Sequence, residues 1–139
     1  LSALPPRFPI SAKEINLVVT MFYARVREHK ILGPVFLQSL PDNAKIWEVH
    51  EAKIAAFWRN AILLERSYNG NPQHVHRARE AIKPEHFAIW LALFDEVLNE
   101  ELTPDIAASW PALAHRIGRG LKMGIEQSRQ AEGAVPMLR

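Results

Sequence analysis

The sequence predicts a single all-α domain, and three observations carry that prediction. Apolar residues recur at helical spacing along four long segments. Each of those segments opens on a recognisable helix-start signal. No stretch alternates as a half-buried strand would, and there is no internal repeat and no linker between domains. A length of 139 residues with 48% hydrophobic and 23% charged residues suits one soluble domain with one core. The expected organisation is one domain over 1–139, with an extended lead-in at 1–10 and a loose tail over 127–139.

The lead-in is set by Pro5, Pro6 and Pro9, which leave no room for regular structure. Ser11 and Glu14 form an S-x-x-E capping box and start the first helix. Its apolar face is Ile15, Val18, Val19, Phe22 and Val26, and it is expected to end near His29. Leu32-Gly33-Pro34 reads as turn punctuation. A second long helix is expected over 43–64. Trp47, His50, Ile54, Phe57, Trp58 and Ala61 fall within about 100° of one another on its face. Tyr68-Asn69-Gly70-Asn71-Pro72 breaks the chain. Asn71 and Pro72 then suit the start of a short helix carrying His74 and His76. Pro84 opens a helix with Phe87, Trp90, Leu91, Phe94 and Leu98 on one side. Thr103-Pro104-Asp105 starts the last helix, with Ile106, Trp110, Leu113, Ile117 and Leu121 inward and a kink or restart expected at Pro111.

Composition narrows the chemistry. Without cysteine there is no disulfide and no thiolate metal site. Metal chemistry would therefore rest on the six histidines or on carboxylates. A net charge of +2 with scattered Lys and Arg gives no basic stripe, so no nucleic-acid partner is expected. No apolar run is long enough to span a membrane and no leader pattern opens the chain, so a cytoplasmic location is expected. Phosphate loops, dinucleotide fingerprints, HExxH and G-x-S-x-G are all missing.

The histidines and their aromatic neighbours hold the functional signal. His50 lies on an apolar helix face, where it is either a hydrogen-bonded core residue or a side chain facing a ligand. His74 and His76 are two apart, so on a helix they point about 200° from each other and cannot chelate one metal. Tyr23 flanks the apolar stripe of its helix and Trp90 is inward on its own, where packing with a hydrogen-bonded polar tip is the ordinary role. His29, His86 and His115 receive no role. Each residue alone reads as core or surface. Jointly they place one histidine on a short helix and Tyr, His and Trp donors on three others, which is the inventory of a buried haem with an axial imidazole and a shaped distal pocket.

Four ordered blocks then carry a family resemblance across roughly residues 14–125. Phe22-Tyr23-Ala-Arg-Val-Arg followed by Leu32-Gly33-Pro34-Val35-Phe36 resembles the opening of truncated haemoglobins. Trp47-x-x-His50-x-x-Lys53-Ile54-x-x-Phe57-Trp58 resembles the distal helix of their group III branch. Tyr68-x-Gly70-x-Pro72-x-x-x-His76 resembles that branch's approach to the proximal histidine. His86-Phe87-x-x-Trp90-Leu91-x-Leu93-Phe94 resembles its next helix.

The resemblance implies a two-over-two helical sandwich around haem b. It puts the iron ligand on His76 and the distal positions on Tyr23, His50 and Trp90. Phe36 matches an aromatic residue packed on the haem. Lys53 matches a partner of a haem propionate, and Arg79 is given the same role from its place one turn past His76. Ile54, Phe57 and Trp58 are expected to wall the distal side. Gly-Gly pairs that bend helices in other branches are missing, as in group III, so an apolar ligand tunnel is not implied.

The implied ligands are O₂, CO and NO, the functional class is oxygen binding or transport, and the expected state is a monomer or weak dimer. Hydrogen bonds from Tyr23 and Trp90 to bound O₂, at roughly 1.5–3 kcal/mol each, would slow its release by about a hundredfold to ten-thousandfold. That favours tight binding over simple carriage. Two other functions compete. One is a redox enzyme using O₂, NO or peroxide, as an NO dioxygenase or peroxidase-like activity served by a separate reductase. A strongly anionic proximal histidine would favour peroxidase chemistry, but no Asp or Glu in the short helix is an obvious partner for His76, the nearest being Glu80 one turn on. The other is a haem-free helical interaction domain.

Overall fold

Among the described residues five α-helices are delimited: α1 (Ala12–Glu28), α2 (Leu32–Leu37), α3 (Ala44–Leu63), α4 (Pro84–Glu101) and α5 (Pro104–Ala134). The computed structural model describes residues 7–134 except 39, 42, 67, 69, 73, 74 and 77–81, with side chains described as far as residue 130. No strand occurs among the described residues.

Local chemistry sets the helix ends. The Ser11 hydroxyl accepts from the Glu14 N–H at 3.1 Å, and the Glu14 carboxylate accepts from the Ser11 N–H at 3.0 Å. This reciprocal box starts α1 as the sequence predicts. At the other end, Nδ1 of His29 accepts from the N–H groups of Ile31 (3.1 Å) and Leu32 (3.2 Å), which turns the chain directly into α2. Asn43 caps α3 through Oδ1, which accepts from Lys45 at 2.9 Å and Ile46 at 3.2 Å. Pro84 and Pro104 open α4 and α5, where a missing N–H costs nothing.

Two helix pairs form the sandwich. α1 lies on α3, α4 lies on α5, and contact between α1 and α4 joins the pairs. The centre of the core is aromatic. Phe94 of α4 meets Phe22 of α1 edge-on at 5.0 Å, stacks with Trp58 of α3 at 5.7 Å, and meets Trp110 of α5 edge-on at 5.4 Å. Such edge and offset contacts suit ring quadrupoles and add to the stabilisation from burial.

Four expectations change. Leu32-Gly33-Pro34 is the first turn of α2, not a bare turn. A Cβ on Gly33 would lie 2.8 Å from the Arg27 carbonyl oxygen, so glycine lets α2 fold back against the end of α1. The lead-in is packed where described. Phe8 and Ile10 are buried, and Arg7 closes α3 from its C-terminal end. Its backbone N–H donates to the Ile62 carbonyl at 2.9 Å and its Nε to the Ala61 carbonyl at 2.8 Å. Those carbonyls lie in a last turn that has no intrahelical donors to offer, and a cation suits that end of the dipole. α5 passes Pro111 without a restart. It also continues to Ala134, beyond the residue 127 at which the sequence suggests a tail.

Candidate functional site

Four elements deliver polar or aromatic side chains to one cluster: Tyr23 from α1, Phe36 from α2, Trp47 and His50 from α3, and Trp90 from α4. The Tyr23 ring lies 5.2 Å from His50, 5.8 Å from Phe36 and 6.4 Å from Trp47, centroid to centroid. Phe36 also meets His50 and Trp47, each at 6.0 Å. Trp90 meets Phe22 edge-on at 4.9 Å, and Phe22 in turn meets Tyr23 at 5.0 Å.

Burial dominates the electrostatics of this cluster. It pushes the Tyr23 phenol well above its ordinary range, so the hydroxyl keeps its proton. A hydrogen bond from the Trp90 side chain opposes that shift, which places the indole N–H as donor to the phenol oxygen. Tyr23 then keeps its own O–H to give away. Burial, with Lys53 nearby, holds His50 down to about 4, so its ring is neutral at pH 7. Its Nε2 is buried without a hydrogen-bond partner among the described residues. An orphaned polar atom of this kind costs roughly 1–3 kcal/mol, and a pocket that receives a polar ligand relieves it.

The second half of the site lies before α4, where Pro72, Val75 and His76 are helical, in keeping with the short helix the sequence expects. The Val75 N–H donates to the Asn71 carbonyl at 3.1 Å. Nδ1 of His76 lies 2.7 Å from the Pro72 carbonyl oxygen. A carbonyl can only accept, so the proton sits on Nδ1 and the lone pair on Nε2. Burial lowers the His76 pKa, opposed by the Pro72 contact, which keeps the ring neutral. The His76 ring leans on Phe87 of α4 at 5.8 Å. Upstream, Tyr68 meets Phe57 of α3 edge-on at 5.3 Å. A Cβ on Gly70 would fall 2.1 Å from the Tyr68 hydroxyl, so glycine lets the turn pass under that ring. This is the physical content of the Tyr68-x-Gly70-x-Pro72 spacing.

The remaining sequence candidates are placed as follows. Ile54 and Phe57 are partly buried against the core, and Lys53 is exposed. Trp58 is buried between Phe94 and Trp110. His74, Arg79 and Glu80 lie outside the described residues. Of the histidines without a role, His29 and His86 both cap backbone N–H groups, and His115 pairs with Asp95 at 2.9 Å.

Sequence reasoning missed Trp47 and Phe87 as site residues, although both stand in the motifs, and it missed the Pro72 carbonyl. Trp47-x-x-His50 spacing was the available signal for the first, since residues three apart share a helix face.

Among the described residues no three His, Asp or Glu side chains converge on one point. A single neutral imidazole set apart from a pocket of phenol, indole and imidazole suits a metal carried by a cofactor. His76 commits Nδ1 to a backbone carbonyl and keeps the lone pair on Nε2, and it accompanies a separate cluster of phenol, indole and imidazole. A helical sandwich holding this pairing defines a globin.

The comparisons agree. No protein-family model matches the chain. It is 39% identical over 90 residues to Group 3 truncated hemoglobin ctb of Campylobacter jejuni subsp. jejuni serotype O:2, covering 65% of this chain and 71% of that one. The crystal structure of group III truncated hemoglobin from Campylobacter jejuni aligns with a TM-score of 0.80 at 30% identity, covering 88% of this chain and 95% of that one. The chain belongs to the group III truncated haemoglobins. Its coarse role is that of a haem-binding, gas-binding globin. No helix among the described residues is long and apolar enough to cross a membrane.

Proposed function

We propose that the chain holds haem b through Nε2 of His76 and binds O₂ tightly on the side of Tyr23, His50 and Trp90. The observation that carries this reading is the 2.7 Å contact between His76 Nδ1 and the Pro72 carbonyl, which leaves Nε2 as the only nitrogen able to ligate. Haem b supplies a ferrous iron whose sixth position takes O₂, CO or NO.

Every other part of the chemistry falls to the chain. Tyr23 is the distal donor, because burial keeps its O–H protonated and Trp90 occupies its acceptor side. Trp90 thus acts first through Tyr23, by fixing which way the hydroxyl points. His50 is neutral and unpartnered, able to turn either a donor or a lone pair toward the pocket. Phe36 packs beside it, and Ile54, Phe57 and Trp58 back the distal side. Lys53 and Arg79 are the cations for the propionates.

A carbonyl partner leaves His76 neutral, whereas a carboxylate would draw it toward the imidazolate that peroxidase chemistry favours. This supports ligand binding over peroxide turnover. We read the protein as cytoplasmic and monomeric or weakly dimeric, with a separate reductase keeping the iron ferrous.

Titration of haemin into haem-free protein tests the proposal. A Soret band that saturates at a single equivalent and shifts on reduction and on CO addition is expected. A featureless linear rise, like that of free haemin, would overturn it.

A further inference from the structure

Trp47 is 1% exposed and packs beside the cluster of Tyr23, Phe36 and His50. Its ring lies 5.5 Å from His50 with 80° between the planes. Arg27 of α1 covers it, with the guanidinium carbon 5.2 Å from the ring centre. Arg27 also reaches Glu51 of α3 at 3.8 Å, and the Glu51 side chain is only 13% exposed. Glu51 further accepts a side-chain hydrogen bond from Thr20 of α1. Arg27, Thr20, Glu51 and Trp47 thus tie α1 to α3 across the outside of the pocket.

His50 has no tether of its own. Among the described residues no hydrogen bond holds its ring, and Nε2 is buried without a partner. Only packing sets the imidazole, and its ring contacts are Trp47, Tyr23 and Phe36. Tyr23 is held by Trp90, whereas Trp47 is held from outside by a cation and an ion pair.

We infer that Trp47, clamped by Arg27 and Glu51, is the positioning residue that fixes the orientation of the His50 ring. This rests on the haem reading above, because the orientation matters through what His50 presents to a ligand in the pocket. The two ring orientations present different polarity there, a hydrogen-bond donor in one and a lone pair in the other. The clamp selects one of them.

Infrared spectroscopy of the CO-bound holoprotein tests this, because the C–O stretch reports the polarity beside the ligand. The native protein is expected to show one dominant band. Trp47→Leu and Arg27→Gln are each expected to add a second, shifted band. In a His50→Leu background both changes are expected to have no further effect, since the residue they position is gone. Arg27→Gln alters a solvent-facing side chain and keeps the test decisive if Trp47→Leu does not fold. An unchanged single band in Arg27→Gln and in any folded Trp47→Leu would overturn the inference. So would an equal shift with and without His50, which would mean that Trp47 acts directly or through the fold. No CO band in the native protein would overturn the haem reading itself, and this inference with it.

Discussion

His76 can offer a metal only one of its nitrogens. The Pro72 carbonyl takes Nδ1–H, so both the tautomer and the ring direction are set by backbone. That partner was not legible in the sequence, because a carbonyl has no residue identity. The histidine itself was singled out only by the family resemblance, as the end of the Tyr68-x-Gly70-x-Pro72-x-x-x-His76 block. On the opposite side, Tyr23 was legible as a donor, but its pairing with Trp90 across two helices was not. That pairing changes the expected energetics. On the proposed reading, with the Trp90 indole engaged by Tyr23, one strong donor faces the ligand instead of two. Tyr23→Phe is therefore expected to speed O₂ dissociation by about tenfold to a hundredfold, read by stopped-flow displacement with CO. A rate unchanged from the native protein would remove Tyr23 from the ligand's surroundings.

His50 carries a pH signature. Its folded pKa of about 4 lies below the ordinary 6.5, so the unfolded chain takes up the proton first. The associated stability is complete above about pH 6.5, falls between 6.5 and 4, and falls no further below 4. The loss is about 3 kcal/mol. Urea unfolding of the haem-free protein at pH 7.5 and 4.5 measures it. His50→Gln should be less sensitive to acid than the native chain over that interval, and equal sensitivity would show that His50 is not desolvated as described.

Among the elements, α3 bears most of the distal side, and both its ends are held by side chains. Asn43 caps the N-terminus, at the start of the helix the sequence sets over 43–64. Arg7 holds the C-terminus, which the sequence did not signal. A cation more than fifty residues upstream gives no local pattern, and three prolines made its segment look like idle lead-in. Asn43→Ala is expected to lower stability by about 1 kcal/mol, seen as a lower denaturation midpoint at unchanged slope. No change would mean that the cap is idle and α3 is held by packing alone. α2 was misread as a bare turn, and of the kink or restart expected at Pro111 the restart does not occur. Local breaker signals count hydrogen bonds lost, whereas tertiary packing of a flanking apolar face decides whether a helix continues.

At the scale of the molecule, one stripe of α4 organises everything. Phe87 leans on His76, Trp90 holds Tyr23, and Phe94 is the hub of the core. These positions lie three and four residues apart, so a single helix face passes from the proximal side to the distal side and into the centre. That stripe was visible in the sequence as amphipathic spacing. Its double duty was not, because periodicity separates inside from outside and cannot separate a core from a pocket wall. The four spaced blocks added what periodicity lacks, because the family resemblance they carry assigns some inward positions to a pocket.

The central claim is that His76 alone ties the iron to the chain, and His76→Gly tests it most directly. The absorption spectrum of the reduced variant, reconstituted with haem, is recorded before and after adding free imidazole. The account predicts that the native ferrous and CO-bound spectra are lost in the variant and return with imidazole, which fills the cavity left by the side chain. A variant that binds haem with native spectra in the absence of imidazole would contradict the account and move the ligand to another histidine.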